Sequence, residues 1–279
     1  MEFKNLGRSS EKVPILGLGT WGIGGFSTKK TDGDAADIEA LHLGLELGMR
    51  LIDTAEMYAS GHTEEVVVKA IENRRESVFL ATKVSPEHFS SEDVPKACAA
   101  SLRRLNTKYI DLYQAHWPNL RIPIFETVKA MEKLVREGNV RFLGVSNFSV
   151  EQTRQAQEAL STVEIASNQV EYSLLDRSIE ANLLPYAEKE HITIIAYSPL
   201  ARGQIAKGSN RETQWKIIDG VAAKYGKTRN QVALNWLITN RSVIAIPKSA
   251  NSAHLNENHG AQGWSMIHED YELLDRAFK

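Results

Sequence analysis

The sequence predicts an α/β fold: a closed (β/α)8 TIM barrel with an N-terminal β-hairpin and an extra helix between strands 7 and 8. Three observations predict it. Eight short, β-rich apolar segments recur along 279 residues. Amphipathic helical stripes separate them. No linker, low-complexity tract or composition break divides the chain, so one barrel domain over residues 1–279 is expected. An open, doubly wound sheet is the alternative arrangement of the same units.

In chain order, the first fourteen residues read as a hairpin. Phe3–Leu6 pairs with a strand near Val13, turns at Gly7–Ser10, and is placed to plug the barrel floor. The barrel strands follow at Ile15–Gly19, Arg50–Asp53, Val78–Lys83, Tyr109–Ala115, Val140–Val145, Ala166–Val170, Thr193–Tyr197 and Val243–Ile246. Between them run stripes such as Ile38, Leu41, Leu45 and Val128, Met131, Val135 and Ile179, Leu183, Tyr186. Ser149 with Gln152, and Thr228 with Gln231, fit the reciprocal capping pattern at two helix starts. Two helices, Glu212–Tyr225 and Thr228–Thr239, fall between the last two strands, where the repeat needs one.

The first strand ends in GLGTWG, Gly17 to Gly22, a literal match to the dinucleotide fingerprint. That fingerprint must open a helix at once and meet an acid about 20 residues later. Here IGGFSTKKTDGD follows, which reads as loop, and the next strand-end acid is Asp53. A Rossmann site is rejected; the glycines are read as a tight turn beneath a cofactor.

Composition narrows the function. Net charge is −2, which leaves no basic footprint for nucleic acid. No apolar run approaches the roughly 20 residues a bilayer span needs, and MEFKNLGRSS lacks the apolar core of a signal peptide. A single cysteine, Cys98, excludes an internal disulfide and fits a reducing, cytoplasmic setting. Cys98 shares a helical stripe with Val94, Leu102 and Leu105, so it is read as a core residue rather than a nucleophile.

Sites on such a barrel gather at the C-terminal ends of its strands. The polar residues there are Thr20 and Trp21, then Asp53, Lys83, His116, Ser146 with Asn147, Gln169, Ser198 and Lys248. One polar strand end is expected by chance, but a ring holding acid, lysine and histidine is not. Asp53, Lys83 and His116 end three consecutive strands, and Tyr58 can fold back from the loop after Asp53. A lysine cation beside a tyrosine favours the phenolate and should lower its pKa. Asp53 would keep Lys83 charged, neutral His116 would donate to a carbonyl oxygen, and Tyr58 would protonate that oxygen as charge develops. This is carbonyl reduction, and its hydride must come from a nicotinamide. No metal ligand set is expected.

The segments LIDTAEMYASGHTEE, FLATKV, YIDLYQAHWP, FLGVSNFS, NQVEYS, AYSPLARG and IPKSANSAHLNEN resemble, in order, the motifs of the aldo-keto reductase family. They span Gly19 to Asn258. The resemblance implies the eight-fold barrel and a catalytic tetrad of Asp53, Tyr58, Lys83 and His116. It also implies a cofactor site. Gly19, Thr20, Trp21 and Asp53 would lie beneath the cofactor. Ser146, Asn147 and Gln169 would hold its carboxamide, with Tyr197 stacked on the ring. Ser198, Pro199, Leu200, Ala201 and Gly203 would run along the pyrophosphate. Ile246, Pro247, Lys248 and Ser249 would lie by the 2′-phosphate, just before a helix start that favours an anion. Glu257 and Asn258 would meet the adenine. Many relatives carry arginine where this chain has His254, so the expectation is NADP(H) preferred with NAD(H) admissible.

Trp21, Tyr58, His116 and Trp117 are the expected substrate contacts, the two tryptophans forming an apolar wall. Trp215 and Trp236 lie on helical stripes and are read as core; Trp264 is not assigned. Arg121 is read as a solvated surface arginine. About twenty residues follow the eighth helix, a short tail, so an open pocket tolerant of many aldehydes is expected, in a monomer by default. Two rivals remain at this level. One is a Schiff-base enzyme on Lys83, which needs a depressed lysine pKa. The other is a nucleotide-binding regulatory subunit with little turnover.

Overall fold

The computed structural model describes residues 1–208 and 212–279. Two short strands, β1 (Phe3–Asn5) and β2 (Lys12–Pro14), pair antiparallel. The barrel strands are β3 (Leu18–Gly19), β4 (Leu51–Asp53), β5 (Phe79–Val84), β6 (Ile110–Ala115), β7 (Val140–Ser146), β8 (Ile165–Glu171), β9 (Thr193–Tyr197) and β10 (Val243–Ala245). Each is parallel to the next, in sequence order. Closure comes from the segment before β3: Leu16 bridges Ala245 in parallel, and Gly17 N donates to Ala245 O over 2.9 Å. The predicted strand Ile15–Gly19 is thus a bridge plus two regular residues. The sheet is closed, and the doubly wound alternative is excluded.

Helices α1 (Asp34–Glu46), α2 (His62–Ala70), α3 (Asp93–Arg104), α4 (Ile124–Arg136), α5 (Val150–Ala159) and α6 (Leu183–Lys189) follow β3 to β8. After β9 come α7 (Gln204–Lys207), α8 (Glu212–Tyr225) and α9 (Arg229–Thr239), and after β10 come α10 (Ser252–His259) and α11 (His268–Phe278). Two helices are missing from the sequence reading: α7 is a single turn, too short for a hydrophobic period to register, and α11 lies in the stretch read as a short tail. Both predicted capping boxes form, with Ser149 and Thr228 as N-caps and both reciprocal bonds present. GLGTWG opens no helix: α1 begins only at Asp34.

The hairpin plugs the barrel floor. Leu6 and Val13 are fully buried against Leu51, Phe79, Leu112, Ile195 and Ile244. Gly7 is left-handed (φ 56°), and a Cβ there would lie 2.9 Å from Ala166 O, so only glycine makes this turn. Lys4 Nζ fastens the plug to the end of α9 and the start of β10, donating to Ile238 O, Asn240 O and Val243 O over 2.5, 2.6 and 2.6 Å.

The larger apolar cluster lies between strands and helices and includes Cys98, Trp215 and Trp236. Burial pushes the Cys98 thiol up to about 12, which fits the core reading. Trp264 packs against Tyr225, ring centroids 5.2 Å apart. The last helix, α11, lies on α8 through Phe278 against Trp215 and through Asp270 bonded to Lys224 and Tyr225. It covers the barrel's flank. Among the described residues, no helix is long and apolar enough to cross a membrane.

Candidate active site

The tetrad is assembled by neighbouring strands. β4 ends at Asp53, β5 carries Lys83 one residue before its end, and His116 follows β6 directly. Tyr58 returns over them from a turn in which Ala59 and Ser60 are both left-handed (φ 48° and 56°). Such conformations cost free energy in non-glycine residues and gather where structure serves a site. Phe26 O accepts from Ala59 N over 2.6 Å, and Ser60 Oγ donates to Ser27 O, tying this turn to the loop after β3.

Lys83 is fully buried and spends all its donors: on Asp53 Oδ2 (2.6 Å), Thr54 O (2.9 Å) and Tyr58 Oη (3.3 Å). Burial works against its charge, but the Asp53 carboxylate and the Tyr58 oxygen outweigh it and hold the ammonium above its ordinary value. Burial raises the Tyr58 phenol, and the Lys83 charge only partly opposes this. The sequence expectation of a lowered phenol pKa is therefore corrected. Desolvation of a ring only 8 % exposed dominates, and the lysine charge is already matched by Asp53. The His116 imidazole is lowered to about 2, first by burial and then by the Lys83 charge. It is neutral over the ordinary pH range, and its Nδ1 is buried without a hydrogen-bond partner among the described residues.

Nearly all the residues singled out in the sequence line one cavity of about 1000 Å³ at the C-terminal face of the barrel. Trp21 and Trp117, each nearly half exposed, stand at its mouth. Trp21 meets Tyr58 edge-on at 4.8 Å, and Tyr58 meets His116 at 5.6 Å. Lys83 sits behind Tyr58 rather than on the wall, and Ala201 and Ser249 stand outside the lining. None of α11 lines the cavity.

Several side chains expected to greet a cofactor already have protein partners. Thr20 Oγ1 donates to Asp53 O over 2.8 Å, tying β3 to β4. Ser146 Oγ donates to Gln169 O. Asn147, left-handed at φ 61°, donates to His116 O and Ser146 Oγ, and it accepts from the Tyr197 hydroxyl at 3.0 Å. Gln169 Nε2 donates to Asp53 Oδ1 at 2.7 Å, while its carbonyl oxygen accepts nothing among the described residues. At the far end, Glu257 accepts from Thr228 Oγ1 and Asn230 Nδ2. The start of α10 is not an open anion site, because the Asn251 side chain accepts from Ala253 N and His254 N. Lys248 lines the cavity and makes no hydrogen bond or ion pair among the described residues.

Sequence reasoning missed Phe26, Met57, Arg202, Lys207 and Asn230 on the cavity wall. Arg202 sits within SPLARG between Ala201 and Gly203, left-handed and paired with Glu171 at 3.2 Å. Phe26 lies in a glycine-rich loop with no period to mark it. Arg121, as expected, takes no part in the lining.

The family model of the aldo/keto reductases matches residues 15–278. Methylglyoxal reductase YeaE of Escherichia coli is 39% identical over 95% of this chain and 91% of its own length. A crystal structure of a thermostable aldo-keto reductase with the inhibitor epalrestat superposes with a TM-score of 0.95 at 41% identity, covering 99% of this chain and 100% of that one. An aldo-keto reductase from Klebsiella pneumoniae in complex with NADPH gives 0.89 at 38% identity, covering 100% and 96%. With this match, this barrel and this cavity, the chain belongs to the aldo/keto reductase family.

Proposed function

We propose that the chain reduces aldehydes and ketones to alcohols, reversibly, with NADPH as the preferred donor. One observation carries the reading: a fully buried Lys83 bonded at once to Asp53 and to the hydroxyl of Tyr58, beside a neutral His116. Bound NADPH supplies the hydride that reduces the carbonyl carbon. Tyr58, protonated at neutral pH like any phenol and with burial raising it further, gives its proton to the carbonyl oxygen as charge develops there. The Lys83 ammonium then faces the phenolate left behind. Neutral His116 orients the carbonyl without competing for the proton. A lysine held above its ordinary pKa is a poor amine nucleophile, which opposes the Schiff-base rival.

The cavity suits the cofactor. Gln169 presents a carbonyl oxygen with both of its N–H groups committed elsewhere, a match for a carboxamide donor. Tyr197 is pinned by Asn147, ready to stack on a ring. Unpaired Lys248 suits a 2′-phosphate. The similarity to a methylglyoxal reductase supports small reactive carbonyls as substrates. Trp21, Phe26 and Trp117 add an apolar wall for larger ones. We read residues 1–279 as one barrel domain that is active as a monomer.

Steady-state NADPH oxidation over a panel of aldehydes that includes methylglyoxal tests the reading. Turnover supports it. Tight NADPH binding without turnover on any carbonyl overturns it in favour of a regulatory nucleotide-binding role.

A further inference from the structure

Lys83, Gln114 and Gly144 lie in register on three adjacent strands, Lys83 opposite Gln114 and Gln114 opposite Gly144. Side chains at such positions share a face of the sheet, and Lys83 and Gln114 are both fully buried. A Cβ on Gly144 would fall 3.0 Å from Gln114 Cγ and 2.6 Å from Ser167 Oγ. The absent side chain is the room through which Gln114 extends across the barrel interior. There its Nε2 donates to Asp53 Oδ1 at 3.3 Å. Gln169 Nε2 donates to that same oxygen at 2.7 Å and to Gln114 Oε1 at 3.3 Å. The two amides and the carboxylate close a triangle.

The geometry points to Gln114 as a positioning residue for the reduction: it holds the Asp53 carboxylate in the plane that aims the other oxygen at Lys83, and so places the ammonium beside Tyr58. Every N–H of Lys83 is committed, so its position follows that of Asp53 Oδ2. Among the described residues, Asp53 Oδ1 receives only the two glutamine amides. Without Gln114, one of them is lost and the other, Gln169, loses its brace. The carboxylate can then turn about Cβ–Cγ and carry Oδ2 away from Lys83. Gln114 touches neither the cavity nor the reacting atoms and acts through Asp53.

This inference rests on the reductase reading, and the test separates the two. Gln114→Met keeps the volume and removes both polar atoms. Gln114→Glu keeps the shape. Its carboxyl donates to Asp53 when protonated and repels it when ionised; among the described residues the ionisable groups nearest this network are Lys83, opposite it on β5, Tyr58, bonded to Lys83, and His116, two residues further along the chain. Gln114→Met is expected to lower kcat about 10- to 100-fold. Its NADPH dissociation constant, read by fluorescence, should be unchanged, and the alkaline limb of its kcat profile should move to lower pH. Gln114→Glu is expected to approach parental kcat in acid and lose it as pH rises through a range where the parent does not change. Parental kcat and pH profile in both variants overturn the inference alone. Weakened NADPH binding in both, with no acid recovery in Gln114→Glu, makes Gln114 a packing residue and overturns it too. A parent without turnover overturns the reductase reading and this inference with it.

Discussion

The Lys83 ammonium lies 3.3 Å from the Tyr58 hydroxyl and 5.0 Å from the centre of the same ring, so one buried cation addresses both the oxygen and the face of the phenol. That contact joins residues from a strand and from a strained turn. It brings a phenol hydroxyl to the mouth of a barrel whose interior holds the carboxylate paired with that cation.

Removing the donor isolates its role. Tyr58→Phe keeps the ring and its edge-on contact with Trp21. We expect kcat/KM for aldehyde reduction to fall about 10²- to 10⁴-fold, the range for a general acid. NADPH binding, followed by fluorescence, should stay near parental.

Removing the cation should cost folding as well as turnover. Lys83→Met strands a buried Asp53 carboxylate that is 2.6 Å from its counter-ion in the parent. Breaking a buried pair in this way costs about 3–5 kcal/mol, readable by urea denaturation at neutral pH. Asp53→Asn with Lys83→Met should recover part of that loss and none of the activity.

The imidazole makes stability depend on acid. Folded His116 titrates at about 2 against an ordinary value of 6.5. Between these values the unfolded chain holds a proton that the folded chain lacks, so stability falls as pH drops below about 6.5 and the loss stops growing near 2. Going from pH 7 to 4.5, the parent should lose about 2 kcal/mol more than His116→Gln. Equal losses in urea denaturation would remove His116 from the account.

Cofactor choice should hinge on one side chain. Lys248 has no protein partner among the described residues, and the start of α10 is already capped by Asn251. Lys248→Ala should weaken NADPH binding about tenfold, the scale of one charge-assisted hydrogen bond, and leave NADH nearly unchanged. An equal loss for both cofactors would place the 2′-phosphate elsewhere.

Much of this was legible in the chain. Parallel barrel strands end on the same face, so a list of strand-terminal residues is already a list of neighbours: Asp53, Lys83 and His116 follow from sequence order alone. The capping boxes were legible because their partners sit three residues apart. The sign of the Tyr58 shift was not, because a charge partner can be named from sequence whereas the depth of burial that outweighs it cannot.

The linear order of residues therefore determined the fold class, the family and the grouping of Asp53, Lys83 and His116 at adjacent strand ends. Tertiary structure decided which polar atoms were still open to a ligand. Ser146 and Asn147 are occupied by partners from other strand ends, and the start of α10 by its own N-cap Asn251, while Gln169 Oε1 and Lys248 accept or donate nothing among the described residues. It also brought Gln114 to Asp53 across a gap that Gly144 leaves empty. Periodicity gives the side of a strand on which a residue lies. How far its side chain reaches depends on the volume of neighbours on other strands, and only packing in three dimensions sets that.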